Sequence, residues 1–241
     1  MKRPRLRKIT LVWIGVAAAC TAPAAAETES DTQQWTTVRI NHPIGDRWAV
    51  SLLSEVRFDD DVSDYKSVTL KPAVHVALAR HWHLGLGYKY QDKDGGSDEH
   101  AAWQEAAFAP SFGKLALGHR LRLEERFIEG IGGVIARSRF RLKAAHPLWS
   151  SPWYLVGSEE VFVNLNSRGQ GPVSGFEQNR LFAGLGVHLR GHVRAELGYL
   201  WRFQRERSGP DRSDHVISLN LLFDTRAKPA PLHPAPGEMH Y

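Results

Sequence analysis

An all-β fold, specifically a transmembrane antiparallel up-and-down β-barrel of about 10–12 strands, is predicted by three observations in this 241-residue chain. Polar and apolar residues alternate with a period of two, which sends the two kinds of side chain to opposite faces of an extended strand. The alternating segments are near ten residues long, the length a tilted strand needs to cross a bilayer, and short turns alternate with longer polar loops between them. Trp48, Trp82 and Trp153 lie beside the short turns while Phe58, Tyr90, Phe127 and Phe203 lie beside the loops, giving two aromatic rows.

The chain opens with Lys2, Arg3, Arg5, Arg7 and Lys8, an apolar run from Ile9 to Ala19, and the small-residue site Ala24-Ala25-Ala26. Residues 1–26 are the expected cleavable signal peptide. Lipidation at Cys20 is the rival reading, weakened by Ala17 where a large aliphatic residue is usual. The whole chain has 31 Lys+Arg and 26 Asp+Glu; the signal takes five cations and no acid, so the remainder balances at 26 of each. That removes the net basic footprint a nucleic-acid partner needs. Loss of Cys20, the single cysteine, leaves neither disulfide nor thiol chemistry.

Strands are expected near 34–41, 47–58, 67–78, 82–91, 102–112, 115–127, 134–145, 153–163, 179–189, 193–204 and 214–223. Short turns fall at Ala79–His81, Gly113-Lys114, Pro147–Pro152 and Arg190–His192. Longer loops fall at Asp59–Lys66, Asp92–His100, Glu129–Gly133, Asn164–Gln178 and Arg205–Ser213. Eleven segments conflict with the even number normal in bacterial single-chain barrels, so 34–41 is either a partial extra strand or the partner of an unseen twelfth. The barrel domain spans 27–223, and the proline-rich 224–241 is an extended tail.

One face of each strand is greasy: Trp48, Val50, Leu52, Val56 and Phe58 on one, Val68, Leu70, Val74 and Leu78 on another. The opposite face carries Glu55, Arg57, Lys71, Glu105, Arg120, Arg122, Glu124, Arg126, Arg137, Arg139, Arg141, Lys143, Arg180, Glu196 and Arg202, the candidate lumen or ligand residues. Gly85, Gly87, Gly118, Gly184, Gly186 and Gly198 share that face, making room for long neighbours.

Arg120-Leu-Arg-Leu-Glu-Glu-Arg126 and Arg137-Ser-Arg-Phe-Arg-Leu-Lys143 aim seven cations inward against Glu124. Two readings stay open. The charges interlock with Glu55, Glu105, Glu160 and Glu196 to fill a narrow lumen, or the surplus lines a path for a small anionic solute, porin-like and anion-leaning.

An acyl hydrolase or transferase acting on lipid is the enzymatic alternative. Its only visible candidate, His119 on the greasy face, has no clear serine partner, so the chain is expected not to be an enzyme. His81-Trp-His83 lacks a third ligand, and Asp59-Asp60-Asp61 with Asp64 lacks the glycine and distal glutamate of a calcium loop; neither a metal nor a cofactor is expected. A soluble periplasmic β-sandwich binding an anion would show the same alternation with its apolar face inward.

Trp35, Ser54-Glu55-Val56-Arg57, Arg120 to Arg126, Ser158-Glu-Glu-Val-Phe162, Phe176-Glu-Gln-Asn-Arg180 with Gly184, Leu197-Gly-Tyr199 and the closing strand His215 to Phe223 resemble a proteobacterial family of secreted barrels of unknown function. The likeness spans about 34 to 223. It implies a Gram-negative outer-membrane barrel, in contact with outer-membrane lipid and lipopolysaccharide and inserted by the barrel-assembly machinery, and it carries no activity or catalytic residue.

Overall fold

The computed structural model describes residues 28–189 and 192–225. The expected signal peptide, most of the Pro-rich tail and the turn residues Arg190 and Gly191 lie outside the described residues. Twelve strands run in chain order: β1 (Thr28–Ile44), β2 (Trp48–Asp59), β3 (Asp64–Ala79), β4 (Trp82–Lys93), β5 (Glu99–Phe108), β6 (Ser111–Phe112), β7 (Leu115–Ile128), β8 (Ile135–Pro147), β9 (Trp153–Asn164), β10 (Gly175–His188), β11 (Val193–Gln204) and β12 (Asp211–Asp224). The two-residue β6 only extends the β7 edge around Gly113, so eleven long strands make the wall. Each pairs with its chain neighbour, β5 pairs with β7, and β1 meets β12 to close one continuous sheet. A single closed sheet rules out the two-layer sandwich.

Closure resolves the odd count. An eleven-stranded meander ends with its first and last strands pointing the same way, so β1 and β12 pair in parallel, from Thr28 opposite Asp211 to Asn41 opposite Asp224. The wall is therefore antiparallel except at this seam. Asn41 Nδ2 donates to Asp224 Oδ1 at 3.0 Å and the Thr225 amide donates to the Asn41 carbonyl at 3.0 Å, fixing its short-turn end.

The first strand is not partial. It begins at Thr28, because the polar stretch Thr28–Gln33 pairs with the start of β12 although it carries no apolar alternation. Other strands also outrun their greasy segments: β5 begins at Glu99 and β10 at Gly175, inside what read as loops, and the Asp59–Lys66 loop shrinks to a tight turn in which Asp60, Asp61 and Val62 have positive φ. Ladder hydrogen bonds do not require burial, so pairing continues where the hydrophobic signal stops. Conversely β5 ends at Phe108, short of the expected 112. Pro110 has no N–H to give the ladder, and the chain kinks there before β6.

Alternation sorts the faces as expected, with one amendment. Trp48, Leu52, Leu86, Leu121 and Leu197 stand exposed on the outer wall, Leu121 at 48% of its accessible surface, while its neighbours Arg120 and Arg122 keep 2% and 3%. The interior, however, is not uniformly polar. Beside β9–β12 it holds a cluster of Trp35, Tyr154, Val156, Phe182, Leu200 and Val216. Glycine creates this room: a Cβ on Gly186 would lie 2.1 Å from the Tyr154 ring, and one on Gly87 would lie 2.3 Å from the Trp103 ring. Gly157, by contrast, would meet only the Phe182 carbonyl at 3.5 Å. Gly87→Ala is therefore expected to destabilise the barrel by about 1–3 kcal/mol through overpacking, and Gly157→Ala to leave the denaturant midpoint nearly unchanged.

Candidate functional site

The ionic half of the interior is built by β5, β7, β8, β9 and the start of β10. On β7, Arg120, Arg122, Glu124 and Arg126 occupy every second position and are all buried; on β8, Arg137, Arg139 and Arg141 do the same. Register sets Arg120 across from Arg141, Arg122 across from Arg139 and Glu124 across from Arg137, so like charges would face one another on two of three rungs without acids from elsewhere.

Those acids come from neighbouring strands. Glu105 of β5 takes Arg122 through two nitrogens at 2.9 and 2.7 Å. Glu124 accepts from Arg137 Nε at 2.9 Å and from Arg139 Nη1 at 2.7 Å. Glu160 of β9 accepts from Arg139 at 3.0 and 2.8 Å and also pairs with Arg120. At the loop end Glu99 holds Arg126 at 2.7 and 3.0 Å and also pairs with Lys89, while Glu177 bridges Arg126 and Arg137, each at 2.9 Å. Arg141 is buried in register between Arg120 and Glu160. Near the opposite end Lys143 donates to both oxygens of Glu196 at 3.1 and 3.2 Å, and the Tyr154 hydroxyl donates to the same carboxylate at 3.0 Å.

A second group lies across the interior. Glu55 accepts from Arg57 at 2.9 and 2.6 Å and from the Thr37 hydroxyl at 3.3 Å. Arg57 lies 3.9 Å above the Trp35 ring, Arg180 sits between Trp35 and Phe162 at 4.8 and 4.7 Å, and Arg202 pairs with Asp214. Guanidinium planes stacked on aromatic faces bring cation–π attraction as well as packing. Lys71, on β3, lines a small interior gap with Arg39 and Arg122.

Fourteen of the fifteen positions anticipated from alternation are thus tied into buried or half-buried interior groups, and Lys71 stands at the gap. With Glu99, Glu105, Glu160, Glu177 and Glu196 the apparent seven-to-one surplus on β7 and β8 falls to seven cations against six acids. Glu99, Glu177, Asp214, Lys89 and Arg39 were missed. Glu99 continues the period of Ala101, Trp103 and Glu105, and Lys89 continues that of Gly85 and Gly87, so the sequence did carry that signal. Glu177 had none, because a register shift between Phe176 and Gln178 breaks the period there. Elsewhere, His119 lies on the outer wall stacked against Phe108 with ring centroids 6.4 Å apart, and His81 Nδ1 lies 2.9 Å from the Ala109 carbonyl oxygen. Among the described residues no group of three or more His, Cys, Asp or Glu is placed to hold a metal ion.

The architecture is that of a closed, eleven-stranded barrel with an ion-paired core. The chain belongs to the family described as "Protein of unknown function (DUF2490)", whose model matches residues 32–214. It is 32% identical over 211 residues to an uncharacterized protein of Methylorubrum extorquens, a match covering 83% of this chain and 91% of that one. The family resemblance read from Trp35 through the closing strand is thereby established, and neither description names an activity.

Two adjacent residues separate the ionic core from the outer wall. Glu124→Gln removes a charge from two buried arginines and is expected to cost about 3–5 kcal/mol. Glu125→Gln, on the exposed face of the same strand, is expected to stay within about 0.5 kcal/mol. Urea unfolding of both variants in one detergent checks the contrast.

Proposed function

We propose that the protein is an outer-membrane β-barrel whose interior is filled by fixed ion pairs, so that it works as a rigid membrane-embedded body and not as an open pore. The observation that carries this reading is the outer belt. Ile40, Leu52, Val74, Leu86, Leu121, Phe140, Leu155, Leu181, Leu197 and Ile217 are all exposed on ten different strands. An apolar surface that encircles a molecule far exceeds the few hundred Å² that soluble monomers expose, and hydrocarbon is its natural solvent.

The aromatic rows support the same placement. Trp48, Trp82 and Trp153 are exposed beside the short turns; Phe127 and Phe176 are exposed beside the loops. Rings at these two levels suit the membrane interfaces, with short turns on the periplasmic side and loops toward lipopolysaccharide. An exported chain of this kind reaches its membrane through the barrel-assembly machinery.

The filled interior supports a closed pore. Diffusion requires a continuous polar path, and Arg120, Arg122, Glu124, Arg139 and Glu160 interlock across the ionic half of the interior, each at most 6% exposed. Small-solute transport therefore requires the lattice to open, and no enzymatic role is assigned.

The reading is tested in three steps. The protein is expected in the outer-membrane fraction, to migrate differently on unboiled and boiled gels, and to give no steady conductance in planar bilayers. Recovery as a detergent-free soluble species overturns the membrane assignment, and stable conductance steps overturn the closed interior. Leu121→Arg is expected to cost about 2–4 kcal/mol if its position is near the bilayer midplane, measured by refolding into lipid vesicles; no loss there contradicts a lipid-facing outer wall.

A further inference from the structure

Small residues on consecutive strands leave a gap in the interior at the edge of the ionic lattice. Ser51 on β2 pairs in register with Ala73 on β3, which faces Gly87 on β4; His75 faces Gly85. Gly85 and Gly87 are required by what leans on them. A Cβ on Gly85 would lie 2.8 Å from His75 Nδ1 and 2.9 Å from Glu105, and one on Gly87 would strike Trp103. The β3–β4 ladder also lapses at Lys71 and Pro72, where its register passes from Leu70 to Ala73. Lys71, Arg39, Trp103 and Arg122 line the resulting cavity, which offers room for about one water-sized sphere.

Its lining is rich in donors. Among the described residues Lys71 makes neither a hydrogen bond nor an ion pair, and the buried indole N–H of Trp103 has no acceptor. The nearby carboxylates are already engaged: Glu55 by Arg57, and Glu105 by Arg122, which lies 3.8 Å above the Trp103 ring. His75 Nε2 and the Ser51 hydroxyl are 3.0 Å apart and occupy each other. Glu55 supplies attractive charge to Lys71 but shares it with Arg57 and Arg180, and a water molecule that satisfies the indole donor adds no negative charge to this cation-rich lining.

We propose that this cavity is a binding site for a small anion of halide size, held between the Lys71 ammonium and the Trp103 N–H, with Arg39 and Arg122 supplying further positive potential. Leu53 and Ala73, both buried at the same rim, limit its size and exclude larger oxyanions or organic acids. The anion completes the charge pairing where Lys71, Arg57 and Arg180 share the carboxylate of Glu55. The site requires only the folded barrel, so its test is independent of where the barrel resides and of whether it conducts.

The full mature chain, purified in a non-ionic detergent, is unfolded thermally in sodium chloride and in sodium gluconate at equal ionic strength. Chloride is expected to raise the midpoint saturably, on the order of 5–10 °C at a hundredfold excess over its Kd, while gluconate, too large to enter, does not. Lys71→Met keeps length and apolar volume and is expected to abolish the chloride increment. Trp103→Phe keeps the ring beneath Arg122 and is expected to weaken chloride binding about tenfold, which preserves the test if the lysine variant does not fold. Equal midpoints of the wild type in the two salts, or equal chloride increments in wild type and either variant, overturn the site.

Discussion

The pairing of buried arginines with buried glutamates is the constraint on which the rest of this barrel depends. Each charge inside pays a desolvation cost that only a close, well-oriented partner offsets, and removing one member strands the other. Arg139 illustrates the economy of the arrangement, since it spans Glu124 on β7 and Glu160 on β9 and so ties three strands together. Bidentate contacts such as Arg126 to the two oxygens of Glu99 add direction as well as attraction. A one-residue slip of any strand would turn its charges outward and its leucines inward, so the ion pairs and the apolar belt specify the same register.

Filling an eleven-stranded lumen takes side chains of very unequal size. On the ionic side, long arginines reach across to acids on other strands. On the opposite side Tyr154 and Phe182 lie over Gly186, Gly184 and Gly198, so that rings occupy space that a β-carbon would otherwise take. The parallel β1–β12 seam is a consequence of the odd count, and its 14 registered pairs extend the whole length of the contact. The two halves of the interior meet at Trp35 and Phe162, whose faces receive guanidinium groups from Arg57, Arg139 and Arg180.

Most of the wall was legible in the sequence because period-two alternation is a local signal; all eleven long strands and the inward direction of Arg120 to Arg126 follow from it. What failed was also physical. Thr28–Gln33 pairs without alternating hydrophobicity, so the first strand read as short. The partners of each arginine were not legible, because Arg120 and Glu160 are forty residues apart and meet only through the closed topology. For the same reason the cation surplus of β7 and β8 looked unbalanced until β5, β9 and β10 supplied their carboxylates. Lys71 differs: it shares Glu55 with Arg57 and Arg180, and the small side chains of Ser51 and Ala73 leave a gap beside it where no further acid reaches.

The central claim is that the ionic residues face a sealed interior while their immediate neighbours face lipid, and a nitroxide scan along β7 tests it most directly. With single cysteines placed in turn from position 120 to 127 and the protein in lipid vesicles, collision rates with membrane-dissolved oxygen should alternate, high at 121 and 123 and low at 120, 122 and 124. Rates without a two-residue period, or with the period inverted, would contradict the account.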